Sequence, residues 1–262
     1  MGRRIDLIAD IGESFGAYSM GDDDRLLDAL TSANIACGFH AGDPRVMERS
    51  VRSCLDHGVS IGAHPGFNDL VGFGRRTMDL SVDEVRTDVL YQIGALSAFV
   101  RAAGGTLTHV SPHGRLGNLT VVDERYATGV LEAVEAFDPS MIVVTQPGVL
   151  EVQARERGLN VDRLGFPDRA YESDGTLVSR REPDAVLHDP ATIAERAVTI
   201  ATTGVLPSRQ GADVRIECDS ILLHGDNAAS VEAAHHVREA LEAAGVTISP
   251  MAEVLDIAAR RP

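Results

Sequence analysis

Seven short apolar runs, each set off by longer stretches of helical period, constrain this chain more than any other feature. The runs are IDLIAD (5–10), ANIACGF (33–39), VSIGAH (59–64), LTHVS (107–111), MIVVTQ (141–146), VDRLGF (161–166) and SILLHG (220–225), and DAVLH (184–188) is a short further candidate. Strands that alternate with helices predict βα units and a largely parallel sheet. The helical stretches carry their own start signals. Residues 43–57 open with Asp-Pro, and residues 81–103 open with the S-x-x-E spacing of a capping box. Asp189-Pro190 opens a third, and Asn227 is placed to cap a helix running to about Ala244. No repeat, linker or low-complexity tract divides residues 1–262, so one domain is expected.

An open doubly wound sheet and a closed barrel both fit this alternation. A dinucleotide-binding sheet would carry G-x-G-x-x-G after its first strand, yet here the first run enters the acidic stretch DIGESFGAYSMGDDD. Acidic side chains there would repel a phosphate at the following helix N-terminus. Seven or eight βα units in a chain of this length suit a β/α barrel. In a barrel, loops at the C-terminal strand ends converge on one mouth, and the polar residues fall at those ends. Asp10 and Glu13 follow the first run, His40 and Asp43 the second, His64 the third and His113 the fourth. Asp168 and Arg169 follow the sixth, and His224 and Asp226 the last. Glycines stand beside most of them and leave room for a small ligand. Asp43 and Asp226 also suit plain helix caps. His57, His109, His235 and His236 fall in helical or mid-strand positions and receive no role.

Composition narrows the chemistry. A net charge of −15 argues against nucleic acid, and no lysine occurs anywhere. That absence removes Schiff-base chemistry and the Gly-Lys-Ser/Thr phosphate loop. Three cysteines without a CxxC pair fit a reduced compartment. The opening residues lack an apolar stretch of signal-peptide length, and no run approaches a membrane span, so a cytoplasmic protein is expected. Histidine with carboxylate supports either metal-assisted hydrolysis or metal-free acid–base catalysis, and without an HExxH the spacing decides neither. Arg75 and Arg76 in a glycine-rich loop, Arg169, and Arg180-Arg181 are the local cations that an anionic substrate would need.

The blocks DLIADIGESFGAYSMGDD, SANIACGFHAGDP, GVSIGAHPGFNDLVGFGRR, YQIGALSAF, DRAYESDGTLVSR and LLHGDN, in that order, resemble the LamB/YcsF family. Characterised members of that family are the A component of the bacterial ATP-dependent 5-oxoprolinase. The resemblance implies a glycoside hydrolase/deacetylase-like β/α barrel. It implies ring opening of 5-oxoproline to glutamate with ATP, carrying Mg2+ as counter-ion, in company with the B and C subunits. Whether the chain also self-associates stays open. On that reading His113 or His64 is the general base and Asp10 or Glu13 orients it, with His40 beside them. Arg75, Arg169 or Arg180 would hold the substrate carboxylate or the nucleotide phosphates, with Asp43, Arg115, Asp168, His224 and Asp226 completing the binding set. No tightly bound metal is assigned. The alternatives are a metal-dependent amide or N-acyl hydrolase and a non-catalytic binding subunit. Three departures bear on this. Ile8 replaces an asparagine, Ser111 a lysine and Gly117 a tyrosine, while Arg115 stands two residues past His113.

Overall fold

The computed structural model describes residues 3–179, 182–223 and 228–257. Strand β1 (Arg4–Ile11) leads through α1 (Asp23–Leu27) to β2 (Ser32–Ala36), α2 (Pro44–His57), β3 (Ser60–His64) and α3 (Val82–Ala102). β4 (Leu107–Val110) is followed by α4 (Gly114–Thr120) and α5 (Glu124–Phe137), then β5 (Ile142–Thr145), α6 (Val149–Glu156) and β6 (Asn160–Gly165). Beyond β6 come α7 (Pro190–Thr202), the hairpin strands β7 (Val205–Pro207) and β8 (Asp213–Arg215), and β9 (Ser220–Leu223). α8 (Ala228–Ala243), β10 (Thr247–Ile248) and α9 (Met251–Val254) finish the described chain.

The parallel strands β1-β2-β3-β4-β5-β6-β9 pair in that order, and β9 pairs back onto β1, which closes a ring of seven. β10 extends the start of β1, with Arg4 opposite Thr247. Of the two expected ring sizes the structure has the smaller one, because residues 184–188 form only an isolated bridge between Arg169 and Val186. The second strand ends at Ala36, three residues before its expected end, so Cys37–Phe39 are loop, whereas β1 runs one residue beyond its expected end and β3 ends at His64 as read. The capping signals fold as read. Asp43 accepts from the N–H groups of Arg45 and Val46 above Pro44, and Ser81 and Glu84 form a complete capping box. Asp189 accepts from Thr192 N–H ahead of Pro190. The helices bury one face, as in α2, where Val46, Met47, Val51 and Cys54 lie against the ring. At about 1.5–3 kcal/mol per large apolar side chain, such faces fix the outer wall.

The bore of the ring is polar as well as apolar. Side chains from strands that are not neighbours meet only across its interior, and several that meet are hydrogen-bonded. At the floor, Ser220 Oγ lies 2.9 Å from Asp6 Oδ2 and 2.7 Å from Asp162 Oδ2, while Ser32 and Thr31 donate to Asp6 Oδ1. Midway, His109 of β4 reaches across β3 to Asn34 of β2 at 3.0 Å. The mouth holds the histidine cluster.

Candidate active site

Strand alternation carries Asp6, Ile8 and Asp10 of β1 to the same face, so the residue that ends the series stands at the mouth. Asp10 Oδ2 lies 3.3 Å from His64 Nε2 at the end of β3, and its other oxygen accepts from Asn34 Nδ2 at 2.9 Å. His64 Nδ1 donates to Ser111 O at 2.6 Å, and its Nε2 lies 2.9 Å from His113 Nδ1. His113 Nε2 donates to Phe73 O at 2.9 Å. His40 stacks on His113 with ring centroids 3.7 Å apart and planes 5° from parallel. Glu13 Oε1 stands 3.6 Å from His40 Nε2 and 3.5 Å from His113 Nδ1. The predicted group Asp10, Glu13, His40, His64 and His113 is therefore one site. The imidazoles are buried, His40 completely, while the Asp10 and Glu13 side chains keep 25% and 12% exposure and face the opening.

Glycines shape the pocket where no side chain fits. A Cβ on Gly66 would lie 2.6 Å from His40 Nδ1, and one on Gly74 would lie 2.8 Å from His40 Cβ and 2.9 Å from His113 Cδ2. Gln92 of α3 clamps the first of these loops, donating to Gly66 O and accepting from Gly66 N–H, both at 2.9 Å.

Proton counting fixes the charge. The outer nitrogens of His64 and His113 both face carbonyl oxygens and must carry hydrogen. Their inner nitrogens, 2.9 Å apart, hydrogen-bond only if one of them carries a second proton. A proton shared by the pair is favoured on His64 over His113. Burial opposes that charge, but Asp10 and then Glu13 raise the His64 pKa above its ordinary value. Asp10 in turn is desolvated, yet the His64 charge and hydrogen bond hold its carboxyl well below the usual range. Burial, and then the His64 charge, pull His113 down to about 3. Burial with His113 and His64 nearby keeps His40 neutral. Burial and the Asp10 charge push Glu13 up to about 8, so it carries a proton at neutrality. Three buried atoms at this centre have no hydrogen-bond partner: Glu13 Oε1 and both ring nitrogens of His40.

The remaining predicted residues fall into separate places. Arg75 is exposed, its guanidinium 5.0 Å over the Phe73 ring, whose edge meets His113 and His40. Arg115 donates to Thr77 Oγ1 at 3.0 Å on the outer side of the same loop. Asp43 caps α2 and takes a further hydrogen bond from Gly16 N–H at 2.8 Å, which ties the β1 loop to the β2 loop. Asp168 and Arg169 are buried in the long connection after β6, where Arg169 donates to the carbonyls of Ala185 and Val178. Arg76 pairs with Asp69. Arg180, Arg181, His224, Asp226 and the cap Asn227 lie outside the described residues. Sequence reasoning does not single out Asn34, His109, Gln92 or Phe73. The signal for the first two is register, since they interrupt apolar runs at positions that face the bore.

A closed seven-stranded β/α barrel with three imidazoles and two carboxylates gathered at its C-terminal rim defines the class, a TIM-like α/β barrel. Within that class the chain belongs to the LamB/YcsF family, whose model matches residues 5–256. It is 49% identical over 251 residues to a 5-oxoprolinase A-type subunit from Pseudomonas syringae pv. tomato, covering 95% of this chain and 98% of that one. The crystal structure of the lactam utilization protein from Thermus thermophilus superposes with a TM-score of 0.90 at 46% identity, over 94% of this chain and 99% of the other. The T48 deacetylase shares the fold alone, with a TM-score of 0.51 at 17% identity over 100% of this chain and 94% of that one.

Proposed function

We propose that this chain is the A component of an ATP-dependent 5-oxoprolinase and that its barrel mouth opens the lactam ring. The supporting observation is the geometry at the rim: Asp10 lies 3.3 Å from His64, and Glu13 stands 3.6 Å from His40 and 3.5 Å from His113. A five-membered lactam re-closes readily because its amine and carboxyl are held together, and its carbonyl is a poor electrophile. Transfer of the ATP γ-phosphoryl group to the lactam oxygen would make the ring carbon open to water. Water adds, the C–N bond breaks with a proton delivered to nitrogen to leave the γ-carboxyl as its acyl phosphate, and a second water then releases phosphate and glutamate. Glu13 is the group with a proton to give, and neutral His40 has one bare ring nitrogen to take one. His64, already charged, orders the water or carbonyl instead of acting as the base. Among the described residues, Arg75 is a cation whose charge reaches Glu13 and His40, placed to meet a carboxylate or phosphate. The B and C subunits are the partners that this reading requires, and the naming of the Pseudomonas relative as one subunit of its enzyme agrees with it.

Reconstitution with candidate B and C subunits tests the reading by following glutamate and ADP together. We expect ADP formation that depends on 5-oxoproline and falls by about 10²–10⁴-fold in His64→Ala and His113→Ala. Full turnover in either variant, or no dependence on 5-oxoproline, would sink it. A second reading, metal-dependent amide hydrolysis, is favoured by one observation. One ligand atom each from Glu13, His40, His64 and His113 lies within 4.8 Å of the others. The outer nitrogens of His64 and His113 are already anchored on carbonyls, as those of metal-bound histidines usually are. The parallel rings of His40 and His113 cannot both aim in-plane lone pairs at one ion, so Glu13, His64 and His113 would hold it. Such an ion would polarise a carbonyl or a bound water. Stoichiometric zinc or manganese in purified protein, lost in His64→Ala, would favour this second reading.

A further inference from the structure

His109 is buried, lies on β4 below the mouth and touches none of the rim groups. Even so, the barrel is built around its ring. A Cβ on Gly62 of the neighbouring strand would fall 2.0 Å from His109 Cδ2 and Nε2, so position 62 accommodates no side chain while the ring lies there. The hydrogen-bond partners are directional. Asp10 is an anion and needs a donor, so the Asn34 amide must turn its Nδ2 toward Asp10 Oδ1, at 2.9 Å. Asn34 Oδ1 then faces His109 Nε2 at 3.0 Å, which must bear hydrogen. Burial keeps the ring neutral, so its Nδ1 is the bare nitrogen, and the Thr108 hydroxyl, 2.8 Å from it and 2.9 Å from Ile61 O, has one hydrogen for the two. The amide of Asn34 and the tautomer of His109, between Asp10 and the bore, are therefore each fixed in one orientation.

We infer that His109, acting through Asn34, is the positioning residue that holds the Asp10 carboxylate against His64. Without the Nε2–H donor the Asn34 amide has no reason to keep its nitrogen toward Asp10, and the carboxylate loses one of its two anchors. The kinetic part of this inference rests on the reaction proposed above; the structural part does not. Two variants separate positioning from simple packing. His109→Leu fills the ring volume without a donor, while His109→Gln restores an N–H near the Nε2 position. In a crystal structure of His109→Leu we expect the Asp10 carboxylate rotated off His64, and in His109→Gln retained. In the reconstituted complex, His109→Leu should lose about 10–100-fold in kcat with KM changed less than about threefold, and His109→Gln should recover most of that loss. Asn34→Ala breaks the same link one step later. It should show the same loss, with the double variant no worse than either single one. The inference is overturned if Asp10 stays in place in both His109→Leu and Asn34→Ala, or if Leu and Gln at position 109 behave alike. If the wild-type complex does not turn over 5-oxoproline, the proposed reaction falls, and the position of Asp10 in the variant structures decides this inference alone.

Discussion

Phe73 holds a left-handed backbone, φ 54°, a conformation that bulky residues avoid at a cost of about 1–3 kcal/mol. The strain has a visible return. It turns the Phe73 carbonyl onto His113 Nε2 and leaves Gly74, φ 63°, flat against His40 and His113. Gly74→Ala is therefore expected to cost about 1–3 kcal/mol in stability and to lower turnover by at least about a hundredfold, because the new methyl would wedge the stacked imidazoles apart. Gly94→Ala is the control. It lies in α3 with open space around its Cβ, and should be neutral or slightly stabilising in the same thermal and kinetic assays. The departure at Gly117 also has a local cause. A Cβ there would meet Pro112 O at 2.4 Å, so the turn into α4 in this chain is too tight for the phenol common in the family. Ser111, where lysine is usual, contributes its backbone carbonyl to His64, and that contact survives the change of side chain.

Among the elements, the connection from β6 to α7 is the least regular. Residues 166–189 hold together through the bridges Arg169–Val186 and Tyr171–Leu177 and through Arg169, whose guanidinium satisfies two carbonyls from inside. Arg196 of α7 adds bonds to the carbonyls of Pro167 and Arg169. Removing the guanidinium leaves buried acceptors without donors. Arg169→Ala should then destabilise the connection by about 2–4 kcal/mol and open it to proteolysis near residues 172–178, before the ring itself melts. An unchanged cleavage pattern would contradict this placement. This region also marks where the sequence stops being legible. Strand starts, the three caps and the converging rim can be read because apolar period, Asp-Pro and S-x-x-E are local signals. The folding of DRAYESDGTLVS back on itself cannot, since it depends on one arginine meeting carbonyls 9 and 16 residues away. The roles within the rim are equally hidden. Whether His64, His113 or His40 carries the charge depends on which carbonyl each ring meets, and that is a tertiary fact. The residues at the rim are legible as a set, whereas judging each position by its strand end passes over His109.

At the scale of the whole molecule, the barrel encloses acid at both ends. Ser220 Oγ has one hydrogen for two carboxylates, so one of Asp6 and Asp162 must be protonated to complete the bridge. Burial, then the neighbouring Asp6 and Asp219 charges, raise Asp162 well above the ordinary range despite Ser220 and Arg163, and burial lifts Asp6 to about 6. A carboxyl with a raised folded pKa binds its proton more tightly in the folded state. Its stabilising effect is complete below the unfolded value near 3.8 and is lost as pH climbs through the folded value. Asp162→Asn keeps a donor toward Ser220 and cannot ionise. Relative to wild type it should melt at a similar temperature near pH 4 and at a progressively higher one toward pH 8. A difference that stays flat or shrinks with pH would remove the shared proton. Asp6 and Asp10 are separated by four residues of one extended strand, about 13 Å, so the floor and the rim do not touch. Beyond about 10 Å, free-energy changes at two places add independently. A floor hardened by Asp162→Asn can therefore serve as the background in which costly rim variants are kept folded long enough to be measured.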